Sequence, residues 1–167
     1  METNFRLSNA TIPAKWLLTS ILFVLIFGYL HGLGFVYLTT GIKPSGVEER
    51  YRGTEDVTKE IGTVNEIHFE KSLPEMFNII HTHILSIGFI FIVVSSIFYF
   101  SSLSDGWKTF WSVEPFLAIG ISFMAMWLMR YVHPKFSYLL LLSGILMAVA
   151  FFTMVFYSIY ELWKRSP

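Results

Sequence analysis

WLLTSILFVLIFGYLHGLGFVYL, residues 16–38, decides the fold. It contains no Asp, Glu, Lys or Arg, and its one ionisable imidazole is His31. As an α-helix it extends about 34 Å. That crosses the roughly 30 Å hydrocarbon core of a bilayer with some tilt. It reads as a retained span, not a cleaved leader. The apolar region is too long, and Tyr37-Leu38-Thr39-Thr40 offers no small-x-small cleavage site.

Three further apolar blocks follow, at about 73–100, 112–131 and 136–163, each long enough to span. Ser72-Leu73-Pro74-Glu75 has the form of a capping box at the start of the second. Asp105-Gly106 marks the turn after it, and Pro115 is expected in the first turn of the third. His133-Pro134-Lys135 makes a tight hairpin before the fourth. Trp16, Trp107, Trp111 and Trp163 fall at one membrane face, with Tyr37 and Tyr131 near the other, as an interfacial belt requires. The fold class is therefore all-α: an integral membrane four-helix bundle in a single domain, 1–167.

Composition agrees. Of 167 residues, 54% are hydrophobic and 14% charged, against about a quarter charged in soluble domains. Mean hydropathy is +0.57. The expected surroundings are the lipid bilayer and other membrane subunits. Net charge is zero, so there is no electrostatic footprint for nucleic acid, and none is expected as a partner. Cysteine is absent. That excludes disulfides, thiolate metal sites, iron–sulfur clusters ligated by this chain and covalent c-type heme.

Residues 41–72 are the one sizeable polar stretch. Lys43, Arg50, Arg52, Lys59 and Lys71 stand against Glu48, Glu49, Glu55, Asp56, Glu60, Glu66 and Glu70. The segment is too polar to build a core alone. It reads as a solvated connector, with a docking surface or a cap over a site below as the alternative. Arg6, Lys15, Lys108, Lys164 and Arg165 flank the face that carries both termini. The opposite face carries more basic residues, Lys43, Arg50, Arg52, Lys59, Lys71, Arg130 and Lys135, but most of them lie in one longer loop; the basic residues in short flanks favour the terminal face as cytoplasmic, and a bacterial inner membrane is expected.

Ionisable residues inside a span are rare and mark function. His31 lies about 13 Å below the end of its block, His81 about 12 Å and His83 about 15 Å below the start of theirs. The two blocks run antiparallel, so the three imidazoles are expected at one level. His81 and His83 differ by roughly 200° around a helix and cannot share one centre. The stripe through His81 carries Gly88, Ser95 and Ser102, small residues that suit a helix–helix surface. The stripe through His83 carries Ile87, Ile90, Val94 and Ile97, which suit lipid. His31 and His81 are thus the expected inward pair, with His83 in reserve. Gly28 and Gly32 make a Gly-xxx-Gly pair beside His31, expected either to pack a helix closely or to leave room for a flat macrocycle. Asn78 stands three residues before His81 and is placed to orient it, or to satisfy polar groups at the helix N-terminus.

Four spans with His31 and His81 or His83 at matching depth resemble the membrane b-type cytochromes built on four helices. The resemblance covers the layout of the chain and rests on no sequence motif. It implies one heme b between the first and second spans, with His31 and His81 as axial metal ligands. Arg130, His133 and Lys135 would stand at the propionate edge. It further implies an electron-transfer subunit exchanging electrons with quinone or an extracytoplasmic redox carrier.

Other readings of the same residues stand beside it. The histidines can hydrogen-bond between helices in a non-catalytic accessory or assembly subunit. They can hold a bare copper or iron ion with Glu75, Met76 or His133, or serve a quinone or proton site. Glu75 is already explained by the capping box. Glu114 is expected as a first-turn acid that complements a helix dipole. Arg130 reads as a snorkelling cation if it does not meet a propionate.

Overall fold

The computed structural model describes residues 6–54 and 68–164. The charges at Glu55, Asp56, Lys59, Glu60, Glu66 and Arg165 lie outside the described residues. The described residues form a short 3-10 turn, Leu7–Asn9, and five α-helices: α1 Ile12–Thr40, α2 Pro44–Arg52, α3 Leu73–Phe98, α4 Asp105–Tyr131 and α5 Phe136–Trp163. Four of them, α1, α3, α4 and α5, are long and apolar enough to cross a membrane. The protein is an all-α integral membrane protein, as its hydropathy blocks imply.

Local chemistry sets the helix ends. Pro13 lies in the first turn of α1, where a missing N–H removes no intrahelical bond. Gly41, at φ 59°, ends that helix in the left-handed conformation, and its N–H reaches Tyr37 O at 2.8 Å. Ser72 and Glu75 form the expected capping box at α3, with Ser72 N–H 2.8 Å from Glu75 Oε2. Ser104 precedes α4, whose first turn carries Asp105.

α4 and α5 form the most extensively packed pair, and α3 lies against both. The core between them holds Phe91, Phe98, Met126, Phe151, Met154 and Val155. Ser122 and Ser143 meet inside it, oxygen to oxygen at 2.6 Å. α1 packs chiefly on α5 and α2 and touches α3 little. Tyr29 stacks on Phe151 with ring centroids 4.0 Å apart. Trp163 donates its indole N–H to Thr19 Oγ1 at 3.0 Å, and the Trp16 ring meets Trp163 edge-on at 5.0 Å. Those two indoles do share one end of the bundle.

Several details differ from expectation. α4 begins at Asp105, seven positions before residue 112: Asp105 stands at the positive end of the helix dipole and pairs with Lys108 at 2.9 Å, which favours helix despite the low hydropathy of the first two turns. Pro115 therefore lies inside the helix, and Glu114 is a half-buried residue of the third turn, not a first-turn acid. One of its oxygens, Oε2, is buried with no hydrogen-bond partner among the described residues. The second span ends at Phe98, so Ser102 is not on α3.

The polar stretch is also more than a solvated connector. Its first part folds into α2, which lies against the ends of α4 and α5 and buries Val47. Gly46 comes so close to α1 that an added Cβ would stand 2.1 Å from Thr40 O. Only a glycine permits that approach. The helical stripe assigned to lipid is partly core: Val94 and Ile97 are buried. In a bilayer large aliphatic side chains suit both lipid and protein, so their size does not tell the two faces apart.

Candidate functional site

His31 lies on the exposed side of α1. Its Nδ1 is 2.8 Å from Phe27 O, one turn back on the same helix. His83 repeats the arrangement on α3, with Nδ1 2.7 Å from Ile79 O. A carbonyl oxygen only accepts, so in both rings Nδ1 carries the proton as donor. In the neutral ring Nε2 then carries the lone pair. Phe27 also packs on the His31 ring at a centroid distance of 4.1 Å, which restricts its rotation.

His81 is exposed too, and no hydrogen bond fixes its ring among the described residues. Asn78 is exposed one turn before it, with no bond to it. The sequence argument that turned His81 inward and left His83 outside is therefore not reproduced: both imidazoles are exposed. What sequence reasoning missed is the carbonyl four residues before each of His31 and His83. The signal is present in any helix, where a side chain leans back over the preceding turn.

The glycines beside His31 leave space. A Cβ added at Gly28, Gly32 or Gly34 would meet nothing within 4 Å, and the same holds at Gly88 on α3. The Gly28–Gly32 pair is not consumed by packing within the chain. Only 6% of the most apolar stretch of α1 is buried. Among the described residues no three His, Asp or Glu side chains come together to hold a bare metal ion. The set His31, His81 or His83, Glu75 and His133 is thus not assembled within one chain.

The basic residues near α4 have partners of their own. Arg130 Nη2 lies 3.1 Å from Glu70 Oε1, and its Nε donates to Lys71 O at 3.1 Å. Its guanidinium stands 4.9 Å from the Tyr131 ring centre. Arg52 donates to Met129 O at 3.0 Å, occupying a carbonyl that the end of α4 leaves without an intrahelical partner. Thr54 N–H to His68 O and Lys71 N–H to Tyr51 O, both 3.0 Å, join the two ends of the polar segment. His133 Nδ1 accepts the Lys135 N–H at 3.1 Å, which shapes the α4–α5 hairpin. Its proton then sits on Nε2, the opposite tautomer to His31 and His83.

No curated protein and no solved structure is significantly similar to the chain. Residues 41–167, which take in α2 to α5 and leave α1 outside, match a family described as a transmembrane helical domain. With four spanning helices and that match in hand, the chain belongs to the Aq_1264_TM family of transmembrane helical domains.

Proposed function

We propose that the protein is a membrane electron-transfer subunit that holds one b-type heme through its intramembrane histidines. The observation that carries this reading is the pair of anchored tautomers. A metal-ligating imidazole nearly always gives its second ring N–H to a carbonyl or carboxylate, which fixes the ring and presents the other nitrogen as a lone pair. His31 and His83 do so through Phe27 O and Ile79 O. They are accordingly favoured as the residues that would hold the iron, and His81 becomes the reserve.

A bound heme would supply one-electron chemistry. The chain's own residues would supply two neutral nitrogen ligands and, at Gly28 and Gly32, a backbone open enough for a flat group to approach. Both imidazoles are exposed, so the rest of the enclosure comes from another membrane subunit. Quinone or an extracytoplasmic carrier is the natural exchange partner. The basic residues Arg6, Lys15, Lys108 and Lys164 at the terminal face favour a bacterial inner membrane with both termini cytoplasmic.

The test is an absorption spectrum of the protein purified with its native membrane partners. A Soret band and a reduced α-band of b-type heme are expected. His31→Ala and His83→Ala should each remove them, and His81→Ala should leave them. Loss at His81 with retention at His83 would overturn the tautomer argument. A colourless, iron-free complex would overturn the heme itself.

A second reading has its own observation. α1 is little buried and its Gly28–Gly32 pair is open, which suits an accessory subunit that receives another membrane helix there. His31 and His83 would then hydrogen-bond across the contact. A colourless complex that loses a subunit when Gly28 is replaced by Leu would favour this reading over the first.

A further inference from the structure

At the end of the bundle that carries Trp163, a carboxyl group is buried with no ion pair among the described residues. Glu161 is in the last turn of α5 and is 2% exposed. Its Oε2 accepts the Ser102 N–H at 2.7 Å, so α5 holds the turn between α3 and α4 through one oxygen. Its Oε1 is fully buried and has no hydrogen-bond partner among the described residues. Ser101, next to the Ser102 donor and 4% exposed, has a buried hydroxyl in the same condition. Among the described residues Glu161 makes no ion pair.

Three physical arguments point the same way. A buried charge is tolerated when it is paired or coordinated. A negative charge in the last turn of a helix also stands at the negative end of the helix dipole, where a cation is favoured. Glu161 Oε1 on α5 and the hydroxyl of Ser101, the turn residue next to its Ser102 partner, are buried hard oxygen ligands of the kind that compact cations take.

We propose that Glu161 and Ser101 form a binding site for a monovalent cation of the sodium or potassium type. Glu161 Oε1 and Ser101 Oγ are its side-chain ligands, and main chain or water completes the shell. A single carboxylate balances a single positive charge, which argues against a divalent ion. The location gives the ion a route: Glu161 is two residues from Trp163, at the interfacial end of α5, not at the middle of the bilayer. Occupancy would tie α5 to the α3–α4 turn, and the same turn receives the N-terminal segment through Leu7 N–H to Phe100 O at 3.0 Å. The ion would act as a structural lock on that end.

The test uses the full chain in lipid nanodiscs. Sodium or potassium chloride is titrated against N-methylglucamine chloride at constant ionic strength, with thermal unfolding followed by tryptophan fluorescence. A saturable rise of the midpoint with one cation is expected, together with binding of one radioactive sodium or rubidium ion per chain. Glu161→Gln should abolish both, and its amide can hydrogen-bond in place of the ion. Ser101→Ala should weaken the apparent affinity several-fold without abolishing binding. A wild-type protein with no cation dependence and no bound ion overturns the proposal. So does an infrared C=O stretch of a protonated carboxylic acid that disappears in Glu161→Gln, because a proton would then fill the site. Should Glu161→Gln fail to fold, the wild-type titration and Ser101→Ala decide: unchanged affinity in the latter overturns the assignment.

Discussion

Arg130 and Glu70 meet at 3.1 Å across the end of α4, with the arginine side chain 13% exposed and the glutamate 69%. The pair is unequal. Glu70 is mostly in solvent, and exposed ion pairs contribute about 0–1 kcal/mol. Arg130 also donates to Lys71 O from a partly buried position, and hydrogen bonds to a charged group are worth about 1.5–3 kcal/mol. Arg130→Ala is therefore expected to destabilise more than Glu70→Ala. Hydrogen exchange should show the difference as deprotection of residues 68–72 in the first variant and little change in the second.

The Ser122–Ser143 contact joins the two most extensively packed helices. Ser143 also donates to Leu139 O or Leu140 O of its own helix, so Ser122 is the donor across the interface. Interhelical hydrogen bonds of this kind average about 0.6 kcal/mol in membranes. Ser122→Ala should cost about that much in a reversible detergent-denaturation measurement. Ser122→Leu should cost more, because the small contact admits no larger side chain.

Span ends were legible where a capping signal coincides with a change in hydropathy. Ser72 and Glu75 at α3 and the His133-Pro134-Lys135 turn before α5 are such places. The start of α4 was hidden because Asp105, Gly106 and Lys108 lower the hydropathy of a stretch that is nevertheless helical. α2 was hidden because its charges conceal one buried contact, Val47, and one close approach, at Gly46. At the candidate site the residue types and the helices that carry them, α1 for His31 and α3 for His81 and His83, could be read in advance. Direction could not. Around α3 both faces are apolar, so Val94 and Ile97 in the core resemble Ile84 and Leu85 outside it. Which nitrogen of His31 and His83 is free follows from the carbonyl four residues back, a partner that every helix offers but that a side chain need not take.

Tyr51 gives a pH dependence outside the membrane spans. Burial holds its phenol above the ordinary value of 10.0, and Arg50 works in the opposite direction. A raised value means the folded state binds this proton more tightly than the unfolded state. The resulting stability is complete below about pH 10 and is lost as the pH rises through the folded value. Denaturation midpoints taken at about pH 9 and about pH 11 should fall more steeply for the wild type than for Tyr51→Phe. Equal slopes would show that the phenol remains accessible to hydroxide.

Gly46 and the Gly28–Gly32 pair separate glycines that the fold needs from glycines it leaves open. A methyl at Gly46 would meet backbone atoms of Thr40, the nearest at 2.1 Å, and neither helix can yield by turning a side chain. Gly46→Ala should therefore destabilise at or above the upper end of the about 1–3 kcal/mol typical of overpacking. It should also loosen α2 from α1, visible as faster exchange of Val47 and its neighbours. At Gly28 and Gly32 the same methyl meets nothing. In the isolated chain each Gly→Ala change should be neutral or stabilise by up to about 1 kcal/mol, the difference in helix propensity. Within a membrane assembly of the kind proposed above the expectation reverses. If another helix or a heme occupies that face, added side chains at Gly28 and Gly32 will weaken association or cofactor retention while the chain alone becomes no less stable. Measuring both quantities on the same two variants separates a face that lipid covers from one that a partner covers.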